Sequence, residues 1–378
     1  MKVLNVNYLL DPVAGGGMAE RTIRMSRALA GAGIECTILC LDIGLTSECI
    51  NDLSGIKIIA FPCLLKRFFI PKISFRSLRN VVNEVDIIHI MGHWSVLNAL
   101  VYLYARKFKK PYVVCPAGAL PIYGRSKLFK MIYNYFIGKK IISNAAGFIA
   151  VTESEKNHFL AYQVDLNKIT VIPNGIDIDE NSLINDNSSN AEYGLPNSPY
   201  ILFVGRLNSI KGPDLLLQAF CQAKDKLSNY HLVFAGPDEG MLANLKEIAL
   251  DAGIQKRVHF FGYLGGKAKT QALRSAALVA IPSRSEAMSI VVLEAGIYGI
   301  PVLLTDQCGF NVINSIAGGL AVEASVEGLQ NGLIEILPDR EKLKSLGNNL
   351  YKYVRARFAW PVIVNQYIKL YGEILKQR

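Results

Sequence analysis

The run YILFVGRLNSIKG, residues 200–212, reads as a buried strand that empties into a tight turn. Its first five residues are apolar or aromatic, and then Gly205 and Gly212 bracket a turn carrying Arg206 and Lys211. A parallel α/β sheet presents its ligand edge at the carboxyl ends of its strands, which is where this turn stands. A guanidinium offers a planar fork to phosphate oxygens and an ammonium offers a point charge, so the pair suits a diphosphate. The alternative is a surface turn with two ordinary charges. The surrounding sequence has to decide between them.

Strand-length apolar runs recur on both sides of this segment. Before it come KVLNVNYL, ECTILCLD, GIKIIAFP, VDIIHIM, PYVVCP, AGFIAVT and KITVIPN; after it come YHLVFAGP, RVHFFGYL, LVAIPS, IPVLLTD and GLAVEAS. Amphipathic stretches lie between them, with helices expected in the first half near 18–32, 75–83, 96–108, 126–143 and 153–162. Continuous Val/Ile/Leu runs between helices indicate parallel sheets covered on both faces, hence an α/β fold of doubly wound units. A chain of 378 residues has room for two such domains. The polar, Asn- and Ser-rich run at 179–199 reads as a linker, which predicts a first domain over 1–178 and a second over 200–359. The last segment, 360–378, begins Trp360–Pro361 and carries an apolar stripe, as a final helix should. It either packs on the second domain or crosses back to the first.

MKVLNVNYLLDP at the amino end has no small-residue cleavage site, and no apolar run reaches spanning length, so a cytoplasmic location is expected. Seven cysteines without CxxC pairs fit reduced thiols. The charge is uneven. Between Lys57 and Lys140 there are fifteen Lys and Arg against Glu84 and Asp86, more than the whole formal excess of +10. These cations alternate with Phe, Tyr and Ile in KRFFIPK and GRSKLFKMIYNYFIGKK, a pattern suited to an anionic membrane surface and a peripheral location on its inner face. A solvated basic face is the plainer reading. No nucleic-acid-binding motif accompanies the charge, so no nucleic-acid partner is expected.

A second constellation is PSRSEAMSIVVLEAGIYGIPV, residues 282–302. With a helix starting near Ser289, Glu286 lies in the strand-to-helix loop and Glu294 on the second helical turn. The backbone N–H groups of Met288, Ser289 and Ile290 then make a ready anion site. Carboxylates eight residues apart on a helix are separated by roughly 12 Å, which suits a ligand touched at both ends better than a paired acid and base. In the first half, DPVAGGGMAERTIRMSRALAGAG places Gly16 and Gly17 between a strand and a helix, where backbone can approach phosphate or acceptor closely. Glu20 stands where the dinucleotide fingerprint needs its third glycine. His89 and His93, in DIIHIMGHWS, sit near a strand end, and His93 is a candidate for a cleft role. The one Asp-x-Asp, Asp177 to Asp179, falls at the domain exit and reads as linker, so no metal site is expected.

Taken together, GRLNSIKG, the E-x7-E of Glu286 and Glu294, VIPNGID (171–177) and VHFFGYL (258–264) resemble the retaining glycosyltransferases of GT-B fold, glycosyltransferase family 4, over nearly the whole chain. The resemblance implies two Rossmann-like domains facing across a cleft, with the final helix crossing back to the first. It implies a UDP- or GDP-hexose as donor substrate, with no cofactor and no metal. Arg206 and Lys211 would hold the diphosphate, Glu294 the ribose hydroxyls and Glu286 the sugar hydroxyls, while the loop at Phe261 and Gly262 would face the base. Family members often carry a histidine in the loop where this chain has Ala117, so His93 or backbone near Gly118 is expected to take part of that role. The acceptor implied is a saccharide or lipid-linked saccharide of surface-polysaccharide synthesis. Three other readings stand beside it: a nucleotide-sugar epimerase of the same architecture, a dehydrogenase lacking its glycine fingerprint, and a non-catalytic basic membrane-binding protein. The last leaves Arg206, Lys211, Glu286 and Glu294 without a common purpose.

Overall fold

The computed structural model describes residues 1–46, 50–51, 53–122, 126–178 and 189–377, with only the backbone of 12–14. Asp179 and residues 179–188 of the expected linker lie outside the described residues, as do Gly124 and Arg125 of the basic run. The chain divides into two compact units. The first is Met1–Gly175 with Trp360–Arg378; the second is Ile176–Ala359.

The first unit holds β1 (Lys2–Val6), β2 (Glu35–Leu41), β3 (Lys57–Phe61), a short antiparallel pair β4 (Cys63–Leu65) and β5 (Ile70–Pro71), then β6 (Ile87–Met91), β7 (Tyr112–Cys115), β8 (Gly147–Ala150) and β9 (Ile169–Val171). Seven of these form one sheet in the order β3-β2-β1-β6-β7-β8-β9, every pairing parallel. All five residues of β6 are buried, as a strand covered on both faces requires. Helix Phe75–Glu84 turns Leu78, Val81 and Val82 inward, at the three-to-four spacing of a single face. Ser74 caps it by accepting from the Ser77 N–H, and Ser95 does the same for Val96–Lys107 through Asn98.

Two local expectations are corrected here. The glycine run is not a loop ahead of a helix at 18; it lies inside the helical element Pro12–Gly31, which breaks at Gly16 (φ 55°, ψ −142°). The Gly15 N–H already closes a turn on the Asp11 carbonyl at 2.7 Å, and only a residue without Cβ takes the left-handed φ at Gly16 readily. The segment expected as one helix over 126–143 is Lys127–Tyr133, a π turn at Asn134–Gly138, and Lys139–Ser143.

Helix Trp360–Lys376 belongs to the first unit. It buries Ile363, Val364, Tyr367, Leu370, Tyr371 and Ile374 along one stripe. Its polar anchor is Arg21, fully buried, which donates to the Tyr367 hydroxyl at 2.5 Å, to Asn174 Oδ1 at 2.5 Å and to the Ile172 carbonyl at 2.8 Å.

In the second unit β10 (Tyr200–Val204), β11 (His231–Ala235), β12 (Val258–Phe260), β13 (Leu278–Ile281), β14 (Val302–Thr305) and β15 (Gly319–Val322) form a parallel sheet in the order β12-β11-β10-β13-β14-β15. The winding reverses between β10 and β13, which makes the loops after those two strands the topological switch point. Among the described residues no helix is long and apolar enough to cross a membrane.

Candidate active site

The turn after β10 is shaped by glycine and by its own hydrogen bonds. Gly212 has φ 67°, and a Cβ there would stand 2.2 Å from the Pro282 carbonyl oxygen, so the turn packs against the end of β13 only because that position is glycine. Asn208 Oδ1 accepts from the Lys211 N–H at 2.9 Å, and Arg284 binds Asp214 through both guanidinium nitrogens (2.9 and 2.6 Å) and the Ser209 carbonyl at 2.7 Å. The loops after β10 and β13 are thereby tied together.

That tie brings Lys211 to Glu286. The ammonium lies 2.8 Å from Glu286 Oε1, an oxygen that also accepts from the Ser283 hydroxyl. Lys211 is 25% exposed and Glu286 10%. The pair is half-buried, where a charge interaction is stronger than in open solvent yet still reachable by a ligand. Arg206 takes a different partner, Glu239 after β11, at 2.7 Å, and Asn208 reaches the other Glu239 oxygen at 2.6 Å. Asp238 beside it accepts the N–H groups of Gly240, Met241 and Leu242, which hold its carboxylate below the ordinary range.

Helix Ile290–Ile297 follows, with Ser289 at its cap and no side chain capping it. The Ser289 hydroxyl is buried without a partner among the described residues, and Met288 is buried beside it. The Ser289 N–H, expected to face an anion, is instead taken by the Cys308 carbonyl at 3.1 Å. The N–H groups of the first turn from Ile290 on have no intrahelical partner, and with the local dipole they favour an anion there. Glu294 is buried and meets Lys269, from helix Gly266–Arg274, at 2.7 Å. Phe261 is half-buried, and the Gly262 carbonyl accepts from the Gly236 N–H at 2.6 Å, which holds the loop after β12 against the end of β11.

The first unit's strand ends are built differently. His93, expected to face substrate, is enclosed. It is 2% exposed, its Nε2 lies 3.2 Å from Asn134 Oδ1, and Trp94, Tyr133 and Tyr162 pack around the ring. Burial pulls its pKa down to about 4, so the imidazole is neutral near pH 7. His89 is enclosed as well, bonded through Nδ1 to the Tyr371 hydroxyl at 2.6 Å, with its pKa lowered to about 3 by burial and by Arg21. Both imidazoles are framework groups. Ala117, in the loop after β7, adopts φ 50°, and Glu155 holds that loop by accepting from the Gly118 N–H at 2.5 Å and from Val151 at 2.6 Å. Burial pushes the Glu155 carboxyl up, against those two donors. Gly16 has open space where its Cβ would stand, and Gly17 is exposed.

Residues 15–180 match the family model described as Glycosyltransferase Family 4, and residues 186–353 match Glycosyl transferases group 1. The chain belongs to this glycosyltransferase family. Among its relatives is the D-inositol 3-phosphate glycosyltransferase of Nocardia farcinica, 30% identical over 247 residues, which are 63% of this chain and 54% of that protein. The chain spans about half the length of the curated relatives it matches. Two solved structures share the fold over essentially the full length. Anabaena HepE in complex with UDP-glucose superposes with a TM-score of 0.78 at 18% identity, covering 100% of both chains. A glycosyltransferase from Rickettsia africae gives 0.75 at 21%, covering 100% of this chain and 99% of that one. The fold is GT-B.

Within this GT-B fold, the structure brings Lys211 and Glu286 into contact and sets Arg206 on the same turn, with Met288, Ser289 and Ile290 at the neighbouring helix start. Glu294 lies one helical turn further in, engaged by Lys269. Four partners were not picked out from the sequence: Asn208, Glu239, Ser283 and Lys269. Asn208 and Ser283 sit inside the two quoted motifs. Glu239 had a usable signal, since it follows the strand YHLVFA directly in a Gly- and Pro-bounded turn. Lys269 had none, because nothing local distinguishes it from the helix's other lysine, Lys267.

Proposed function

We propose that this protein is a retaining, metal-independent hexosyltransferase that takes a UDP- or GDP-sugar as donor and uses no separate cofactor. The observation that carries the reading is the convergence of Arg206, Lys211 and Glu286 with an uncapped helix start at the switch point between β10 and β13. Arg206 and Lys211 receive the diphosphate, joined by the Ser289 hydroxyl and the Ile290 N–H at the helix start beside Met288. Glu286 accepts from the sugar hydroxyls, Glu294 from the ribose, and the loop at Phe261 and Gly262 borders the base. As the anomeric C–O bond breaks, the electron pair goes to the leaving phosphate, and fixed positive charge lowers the barrier where that charge grows. The departing phosphate takes the acceptor hydroxyl's proton as the new C–O bond forms on the same face. Neither buried histidine touches this step. In the free protein Glu239 and Glu286 neutralise the two cations, and incoming phosphate exchanges with them.

The acceptor in this reading is a saccharide or lipid-linked saccharide of surface-polysaccharide synthesis, presented at the inner face of the membrane. The test is a thermal-shift screen over nucleotide sugars, since a ligand that binds only the folded state raises the melting temperature. It is followed by product analysis with saccharide acceptors and with D-inositol 3-phosphate, the compound in the relatives' names. A shift with UDP- or GDP-hexose and an α-linked product from an α-linked donor is expected. Sugar interconversion without any acceptor would favour an epimerase instead.

A further inference from the structure

The helical stretch from Lys127 to Ser143 has two unlike faces. Its inner face is locked to the strand ends: the Tyr133 hydroxyl donates to the carbonyls of His93 and Ser95 at 2.9 and 3.1 Å. Asn134 bonds His93 and also donates to the Tyr162 hydroxyl at 3.1 Å, and Gly138 is buried beside them. Asn134 and Gly138, four residues apart across the π turn, both lie on the buried inner face. Its outer face is apolar and open. Leu128 is 67% exposed, Phe129 61%, Tyr135 78% and Phe136 66%. Left exposed, these side chains form an apolar patch that contact with another apolar surface would remove from water.

A second element extends the same surface. Phe68, on the turn between β4 and β5, meets Phe129 with ring centroids 5.7 Å apart. The β4–β5 turn carries Lys66 and Arg67, and the helical stretch carries Lys127, Lys130, Lys139 and Lys140. The chain has no acidic residue between Asp86 and Glu153, and none between Lys57 and Asn83. Asp86 is engaged elsewhere, accepting from the Lys2 N–H at 2.7 Å, and Glu84 faces Lys57 at 3.8 Å. Exposed aromatic and aliphatic side chains ringed by cations without acids complement a surface that is apolar beneath and negative on top.

We infer that the outer face of Lys127–Ser143, with the β4–β5 turn, docks this protein on an anionic lipid bilayer. Phe129, Tyr135 and Phe136 enter the headgroup region, and the lysines bind lipid phosphates. This deepens the reading of an acceptor presented at a membrane and rests on it. The locked inner face makes docking act on the β6 loop, because Tyr133 and Asn134 hold His93 and its carbonyl in place.

The test is flotation of the full-length protein with vesicles of phosphatidylglycerol and phosphatidylcholine in equal parts, against phosphatidylcholine alone. The native chain floats with the anionic vesicles and leaves them at high salt. A Phe129→Ser/Tyr135→Ser/Phe136→Ser variant partitions about tenfold more weakly, and Lys127→Gln/Lys139→Gln/Lys140→Gln on the order of a hundredfold. All six side chains point to solvent, so circular dichroism of both variants matches the native protein. Equal flotation with both vesicles, flotation of both variants like the native chain, or transfer of the bound protein from vesicles to a single-stranded oligonucleotide overturns the inference. Sugar transfer to a water-soluble acceptor is measured alongside. Its absence in the native protein counts against the transferase reading alone, while its persistence in variants that no longer float shows docking and chemistry to be separate.

Discussion

The two switch points of this molecule, β1 beside β6 and β10 beside β13, share one topology and spend their polar residues in opposite ways. After β10 and β13, Arg206, Lys211 and Glu286 stay 36%, 25% and 10% exposed, in pairs that an incoming anion can replace. Within and after β1 and β6, His89 in the strand itself and Arg21 and His93 beyond the strand ends are sealed among carbonyls, hydroxyls and rings. A charge at the rim is partly solvated already, so exchanging its partner costs little. A charge in the interior has no replacement partner and becomes expensive once disturbed. The first edge is therefore suited to ligand exchange and the second to holding shape.

The largest effect that would break this contrast concerns the rim. Arg206→Ala/Lys211→Ala should lower sugar transfer on the order of a thousandfold while moving the urea midpoint little, because preorganised donors act on the transition state. A loss under about tenfold would remove these cations from the chemistry. Next in size is the interior. Arg21→Met leaves the Asn174, Ile172 and Tyr367 oxygens without their donor and should cost about 3 kcal/mol of stability, read by urea denaturation, with transfer per folded molecule near native. If transfer instead collapses as in the rim variant, the two edges are not functionally distinct.

Gly212→Ala sharpens the comparison, since it strains the rim without removing a charge. Its φ and the 2.2 Å approach to the Pro282 carbonyl predict a loss of about 2 kcal/mol in stability and weaker donor affinity in the thermal-shift screen. The smallest effect is pH dependence. His93 binds protons in the unfolded chain below pH 6.5, but in the fold only near 4, so its contribution to stability is complete above 6.5 and declines as pH falls. About 1.5 kcal/mol should disappear between pH 6.5 and about 5. His89, lowered to about 3, adds a slope of the same sign, so His93→Asn should remove only its own share and leave transfer at pH 7 within about threefold. A large rate loss at unchanged stability would return His93 to the reacting atoms.

Much of this architecture was readable from periodicity. Val/Ile/Leu runs of strand length marked all the strands of both large sheets, and Pro361 with the stripe from Ile363 to Ile374 marked the last helix. The stripe alone fits either core, and only the family resemblance implies that this helix crosses back to the first unit; the hydroxyls of Tyr367 and Tyr371 select Arg21 and His89 there. The break at Gly16 and the π turn at Asn134–Gly138 were missed. Both depend on what packs against them, and neither changes the local pattern of apolar residues.

Charge identity and strand-end position are written along the chain, since a turn after a buried strand must lie at the sheet's edge and its cations must lie with it. Arg206 and Lys211 are named on that basis; Glu286 and Glu294, the latter inside helix Ile290–Ile297, are singled out by their spacing after a buried strand and by the family resemblance. Which carboxylate faces which cation, and which histidine is sealed from water, are set by strand order. Glu239 reaches Arg206 because β11 lies beside β10, and Glu286 reaches Lys211 because β13 lies on its other side. Those neighbours are decades of residues apart, and only the hydrogen-bonded sheet, built from every strand at once, makes them adjacent.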